Sequence, residues 1–368
     1  MALTLHSLHQ ETGATFGAIL GQETVLHYGQ SHAELPWFRA TVALVDLSYR
    51  SRLCLLGADR QGFLNGQVTN NILTLTPGRG CYACLLNAKG KIDSDLNVHC
   101  LEEELLLDFE PGLTDAVRSR LEAYIIAEDV QVLDVAPHYG VLAVMGPLAS
   151  KAVGVLLPSY DETSDPWTFQ KLSHPDLGEV YAMRQPAPGV PAVQLYIPLP
   201  GLGTAAGILA GKVRALGGGW AGWDALEMLR VEAGVPRFGM DMDATNLPPE
   251  AGLEGRAVRY DKGCYIGQEI IARIRTYGRV SKSLRGFRLE TGVDRLPKRG
   301  DPLFHEGKPV GYLTSALYSA TLRASIALGY VRREHDQEGR RFALDADADA
   351  DAGVAVQAPL PFVPTIPS

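Results

Sequence analysis

Short apolar runs broken by turn residues make up most of this chain, with stretches of helical spacing between them. Residues 1–30 carry weak patterning. A helix-like stretch begins at His32. Val42-Ala43-Leu44-Val45 then has strand composition and runs into the polar Asp46-Leu47-Ser48. Arg52 to Gly57 reads as a second strand. Ala58-Asp59 opens a helix through about Val68, with Phe63 and Leu64 inward and Asp59 suited to its cap or first turn. Pro77-Gly78 marks a turn. Cys81 to Asn87 and Lys91 to His99 flank Ala88-Lys89-Gly90, which predicts a β-hairpin with Gly90 at positive φ. Leu105 to Phe109 is a further strand. Val117, Leu121, Tyr124 and Ile125 recur at helical spacing and predict an amphipathic helix over 114–126. Val130 to Val135 and Val141 to Met145 return to strand, and Gly146-Pro147 introduces a helix.

Residues 158–192 are rich in Pro, Ser and Asp and predict long surface connections. Val193 to Ile197 is a strand. Ala205 to Leu216 is a helix closed by the glycines 217–219, and Trp223 to Ala233 is a helix stopped by Gly234 and Pro236. Beyond Ser281 no helix-length pattern recurs. Leu284 to Leu289, Pro309 to Ser315 and Ala327 to Val331 are the clearest strands there, as in a small all-β barrel. The Asp-Ala alternation from Asp345 to Asp351 reads as a solvated acidic loop or hairpin tip. The class expected is α+β. A core occupies 1–281, with 51–137 as an α+β subdomain. A barrel covers 282–358 and a tail 359–368.

Composition narrows the function classes. The chain has 368 residues, 46% hydrophobic and 21% charged, a globular balance large enough for two or three cores. No uninterrupted apolar run reaches ~18 residues, so no membrane partner is expected. The N-terminus has no basic leader and no long apolar region, so no secretory signal is expected. Five cysteines, an odd count, fit a reducing compartment better than a disulfide framework, which points to the cytoplasm. The formal net charge of −8 argues against general nucleic-acid coating. From Arg256 to Arg288, however, nine Lys/Arg stand against two acids, Asp261 and Glu269. That segment is either a solvated basic face or a site for an anionic ligand.

The basic segment surrounds Lys262-Gly263-Cys264-Tyr265-Ile266-Gly267-Gln268-Glu269. Eight residues there hold a thiol, an ammonium, an amide and a carboxylate, and Ile270-Ile271 anchors them. The glycines imply a close backbone approach or a sharp bend. The plain alternative is a turn entering a strand. A basic setting makes a thiol a better nucleophile or metal ligand. No His lies in the motif to act as base, so a protease-like dyad is not supported. The histidines show no metal-site spacing, and no phosphate-binding glycine motif occurs in a strand-to-helix context. Cys81-Tyr82-Ala83-Cys84 is a single CxxC on an extended strand, better suited to packing than to a four-ligand metal site. No resident metal is expected.

Two further segments carry carboxylates. Asp93 and Asp95 share one strand face near Asn87, Lys89 and Lys91, as an acid–base pair or as solvated turn residues. Glu232 ends a helix against the dipole, where a carboxylate costs ~0.3–1 kcal/mol. It needs a partner, which can be Arg230, Arg256 or a ligand with adjacent N–H donors such as a pterin.

These residues together resemble a known family. Lys262 to Glu269, Asp46-Leu47-Ser48, the Gly57-to-Asn71 segment, Leu86 to Lys91 and Arg230 to Pro236 resemble the folate-binding relatives of the glycine cleavage T-protein, an aminomethyltransferase. Within that superfamily the cysteine motif resembles the YgfZ branch, linked to iron–sulfur protein assembly or repair. The resemblance implies two α/β subdomains around a central channel that holds tetrahydrofolate, with the C-terminal barrel beside them. It implies Asn87, Glu232, Arg256, Tyr265, Gln268 and Glu269 as folate-binding residues and Cys264, Lys262 and Asp95 as reactive ones. One departure stands out. The transferases carry adjacent aspartates after a glycine pair, and here Ser94 takes the first place and Asp95 the second.

Three readings follow. The first is a tetrahydrofolate-binding accessory factor for iron–sulfur client proteins, with Cys264 lending a transient ligand or attacking a one-carbon adduct. A single thiolate is not a cluster site, since clusters normally take four cysteines. The second is a tetrahydrofolate-dependent aminomethyltransferase of a glycine-cleavage system. The third and weakest is an RNA-binding module on the basic segment, where Tyr260, Tyr265, Tyr277 and Phe287 are too scattered for a stacking platform.

Overall fold

The computed structural model describes residues 2–163, 165–290, 295–345 and 353–366. The chain divides into two compact units. One comprises residues 1–83, 95–227 and 366–368, the other 84–94 and 228–365.

The first unit is built on an eleven-stranded sheet. Its order is Gly219–Trp220, Ala43–Asp46, Tyr139–Met145, Ala192–Pro198, Gly178–Arg184, Thr168–His174, Arg79–Leu86, Ile92–Cys100, Leu105–Phe109, Ser51–Leu56 and Gln131–Asp134. Val144, Leu195, Ile197 and Val180 are buried with Leu202, Ala206, Leu209 and Val213 of the helix Leu199–Ala215. Full burial of each such side chain contributes about 1.5–3 kcal/mol. That helix starts six residues before the sequence pattern suggests. Pro200 falls in its first turn, where no backbone donor is needed, so it does not break the helix.

Residues 158–192 are not connections throughout. Thr168–His174 and Gly178–Arg184 pair in register as an antiparallel hairpin inside the sheet. Only Val180, Ala182 and Met183 of the second strand are buried, and the first strand has no buried residue, so no apolar run announces either. Residues 1–30, weakly patterned, form the helix His6–Glu11 and a two-stranded sheet, Thr15–Ile19 with Gln22–His27. The helix expected over 114–126 stops at Glu122. The backbone tightens there, with Tyr124 and Ile125 bonding three residues back. The Glu128 carboxylate then accepts the next two N–H groups, of Ile126 and Ala127. Tyr124 lies outside under the Arg120 guanidinium, and Ile126 is 91% exposed.

The second unit contains a closed six-stranded barrel. Its order is Lys282–Leu289, Ala324–Arg332, Lys308–Ser319, Pro302–His305, Arg341–Ala343 and Val354–Ala358, the last closing on the first. Phe287, Leu303, Leu313, Val331, Phe342 and Ala355 fill it. Arg341–Ala343 and Val354–Ala358 pair antiparallel. Residues 346–352, which carry most of the Asp-Ala alternation, lie outside the described residues.

Candidate functional site

The cysteine motif becomes the entry to a helix, not to a strand. Gln268–Tyr277 is helical, with Gly267 as its N-cap at φ 83°. A side chain is excluded at Gly267: a Cβ there would stand 2.6 Å from the Asn87 carbonyl oxygen and 3.0 Å from Gly90 Cα. Gly90, at φ 70°, has the Ile270 side chain against it in the same way. The hairpin tip and the cysteine motif, far apart in sequence, are therefore in backbone contact within the second unit. The tip is fixed further by Ile92 N–H donating to the Asn246 carbonyl at 3.0 Å and by Lys91 4.0 Å from Glu250.

The candidate residues of this unit differ sharply in setting. Cys264 is exposed. Lys262 is half-buried, its ammonium 4.9 Å from the centre of the Tyr265 ring, a cation–π contact worth about 0.5–1 kcal/mol at an exposed site. Tyr265 is buried, and burial pushes its hydroxyl up to about 12. Gln268 opens the helix half-buried, while the exposed Glu269 pairs with Arg273 one turn on, at 2.9 Å. Arg256 is exposed on the short helix Glu254–Ala257. Much of the basic segment is matched locally: Arg259 with Asp261, Arg285 with Asp336, and Arg275 over the Tyr260 ring.

Two residues expected at a folate have structural duties. The Asn87 side-chain oxygen accepts from the Lys89 and Lys91 backbones and its amide donates to Asp93, which shapes the hairpin turn. Glu232 ends the helix Trp223–Glu232 wholly buried, accepting Ser319 Oγ at 2.6 Å and Thr321 Oγ1 at 3.2 Å. Its backbone carbonyl receives the Phe362 and Val363 N–H groups. Those two hydroxyls offset the field of the helix end. Arg230 instead pairs with Asp241 and donates to Ser315 at 2.7 Å.

Asp95 belongs to the first unit. On the strand Ile92–Cys100 it alternates with buried Ser94 and Leu96, so Asp93 and Asp95 do share a face. Tyr82 donates its hydroxyl to Asp95 Oδ2 at 2.8 Å. Burial first, then the charge of Glu110, push Asp95 up to about 6, against the opposing pull of Tyr82 and Arg50. Such a carboxyl exchanges its proton near neutral pH. On the same strand His99 is buried and pushed down to about 4, so it stays neutral.

The sequence pattern did not signal Tyr82, Glu110, Arg50 or Asp108, since only strand pairing joins them. It also left His9 unmarked. His9 is buried with Nε2 2.9 Å from Asp46 Oδ2 and Nδ1 2.8 Å from the Tyr28 hydroxyl. This, with Ser48 N–H on Asp46 Oδ1, gives the Asp46-Leu47-Ser48 segment its structural purpose. Cys84 is buried and Cys81 half-buried, and no group of three metal-ligating side chains occurs among the described residues. No helix among them is long and apolar enough to cross a membrane.

Comparison with known proteins covers nearly the whole chain. The GCVT N-terminal domain family matches residues 5–262, and the glycine cleavage T-protein C-terminal barrel domain matches 282–363. Cys264, Tyr265, Gln268 and Glu269 fall between the two matches. An aminomethyltransferase of Streptomyces coelicolor is 28% identical over 91% of this chain and 90% of its own length. One of Saccharopolyspora erythraea is 29% identical over 93% and 92%. The solved glycine cleavage system aminomethyltransferase T of Bartonella henselae superposes with a TM-score of 0.89 at 25% identity, covering 99% of this chain and 98% of that one.

Proposed function

The chain belongs to the glycine cleavage T-protein family, and from that premise we propose that it is a tetrahydrofolate-dependent aminomethyltransferase acting in the cytoplasm. The single observation that carries this reading is the end-to-end likeness to aminomethyltransferases, in sequence and in fold. The relatives favour it over the iron–sulfur accessory reading.

Asp95 suits the chemistry. Its carboxyl sits on a strand, is held by Tyr82 and has a proton affinity near neutrality. Tetrahydrofolate, when bound, supplies the two amines that take the carbon, and their protons leave with ammonia and with the carrier thiol. Asp95 accepts one such proton and returns it to the departing amine. The family resemblance makes Arg256, Tyr265 and Gln268, with the Lys262 ammonium, the folate-binding candidates of the second unit.

The test combines purified protein, tetrahydrofolate and an aminomethyl-lipoyl carrier protein. The expected result is ammonia release that needs both, abolished in Asp95→Asn. No release under these conditions would exclude the transferase.

One observation favours a second reading, the YgfZ-type accessory role. Cys264 is exposed beside Lys262, in a segment that neither family match covers. The discriminating variant is Cys264→Ala. A transferase keeps its turnover in that variant, whereas an iron–sulfur accessory loses support of client enzymes.

A further inference from the structure

The eleven-stranded sheet of the first unit ends on two unlike strands. Gly219–Trp220 at one end is two residues long. Gln131–Asp134 at the other end pairs with Ser51–Leu56 on one side, and among the described residues no strand pairs with its other side. An edge strand presents backbone donors and acceptors with no ladder to join, and proteins blunt such edges with extreme shortness, Pro, Lys or a bulge. The short Gly219–Trp220 is blunted in this way. Gln131-Val132-Leu133-Asp134 contains no Pro or Lys, and its printed register is unbroken.

The pairing fixes which backbone groups face outward. Cys54 lies opposite Leu133, and Leu53 lies opposite Asp134. One step on, the Val135 N–H donates to the Arg52 carbonyl at 3.2 Å, which makes that step a hydrogen-bonded one. Bonded and non-bonded positions alternate along an antiparallel pair. Gln131 and Leu133 therefore bond toward Ser51–Leu56, while Val132 and Asp134 turn their N–H and C=O groups outward. The Leu133 side chain is 44% exposed, although Cys54 opposite it is buried. Val132 is buried, and the half-buried Asp134 has its Oδ1 accepting the Ala136 N–H at 3.0 Å. The edge thus offers the backbone groups of two residues and one large apolar side chain.

We propose that this edge is a homodimer contact, in which Gln131–Asp134 of two copies pair antiparallel about a two-fold axis at Leu133. Residues whose backbone faces outward must oppose each other, and this register sets Val132 opposite Asp134 of the second copy. It also sets Leu133 opposite Leu133, so the exposed side chain of each copy is covered by its equal. No like charges stand directly opposed, since Asp134 faces Val132 and Gln131 faces Val135. The neighbouring registers are worse. Centring on Val132 puts each Leu133 opposite Gln131, and centring on Asp134 opposes two carboxylates. A contact of this kind is self-complementary and closes at two copies. A strand of another protein would satisfy the backbone too; the match of Leu133 to itself, with both Asp134 set against valines, favours a second copy. A four-residue ladder lies at the small end of specific interfaces, below about 1,200 Å² in total, so the dimer exchanges with monomer.

Sedimentation velocity of the full chain over a concentration series tests this. The wild type should pass from monomer to dimer as concentration rises. Leu133→Lys, at a position already exposed, sets two ammonium groups against each other and should weaken the dimer by about tenfold or more. Leu133→Cys, with the exposed Cys264 replaced by Ser, should cross-link to itself under mild oxidation. Opposed residues at a non-bonded antiparallel position have Cα atoms about 4.5 Å apart, within disulfide reach. Gln131→Cys in the same background faces Val135 and should not cross-link. A wild type that stays monomeric up to about 1 mM overturns the proposal, and is the result expected if the edge takes another protein's strand or none. A dimer that Leu133→Lys leaves unchanged, and that gives no Leu133→Cys cross-link, lies on another face and overturns it as well.

Discussion

Gly267→Ala isolates what holds the thiol segment in place. Gly267 sits at φ 83°, a conformation that costs a residue with a side chain roughly 1–2 kcal/mol. A Cβ there meets the Asn87 carbonyl oxygen at 2.6 Å and Gly90 Cα at 3.0 Å. Both obstacles are backbone and cannot swing aside, so overpacking adds roughly 1–3 kcal/mol. The sum is a loss of about 2–5 kcal/mol. Gly263, four residues earlier, has nothing within 4 Å of its would-be Cβ and provides the control. Gly263→Ala should change stability by less than about 0.5 kcal/mol. Urea unfolding of both variants, compared at their midpoints with the slopes checked for constancy, gives the two losses on one scale. If Gly267→Ala unfolds at the same urea concentration as Gly263→Ala, the motif is not seated on the hairpin turn and the reasoning fails.

Three further outcomes follow from named side chains. Asp95 binds its proton more tightly in the fold, at about 6 against an ordinary 3.8, so native stability falls as pH rises through that window. Asp95→Asn should flatten this slope and gain up to about 3 kcal/mol at pH 7 relative to pH 4; an unchanged pH profile of the unfolding midpoint would contradict it. Arg230→Ala leaves Asp241 buried without a cation, held by the hydroxyls of Thr314 and Ser315 and the Arg237 backbone N–H, and should cost about 3–5 kcal/mol by denaturant unfolding. A loss under about 1 kcal/mol would show that the pair is not needed. Arg256→Ala removes the guanidinium of the short helix Glu254–Ala257, and each protein is compared with its own ligand-free melting temperature. The dose-dependent rise produced by tetrahydrofolate should need more ligand in that variant, and equal titration curves would take Arg256 out of the site.

Local pattern was enough wherever a segment carries its own signal. The hairpin around Gly90, the strand Leu105–Phe109, the helix start at Trp223 and the β texture after Ser281 are all written in short windows of residues. They depend on turn chemistry and apolar spacing, which neighbours in sequence supply. The hairpin over 168–184 escaped because its first strand has no buried residue. The helix Leu199–Ala215 extends before Ala205 because Pro200 occupies its first turn, where a backbone donor is not needed.

The site shows the same division more sharply. The cysteine motif marks itself by composition, and Asp95 by its place after the glycine turn. The sequence alone therefore named the thiol, the candidate acid and the family they resemble. It could not say that Gly267 rests on Asn87, that Glu232 is wholly buried and bonded to Ser319 and Thr321, or that Tyr82 donates to Asp95 and Arg50 bridges Asp108 and Glu110. Those are long-range facts. They depend on which strands lie side by side and in what register, and a shift of one residue would turn each side chain to the opposite face. Residue types determined what chemistry this protein can hold, and tertiary pairing decided which polar side chains meet, because only pairing brings residues distant in sequence within hydrogen-bonding reach.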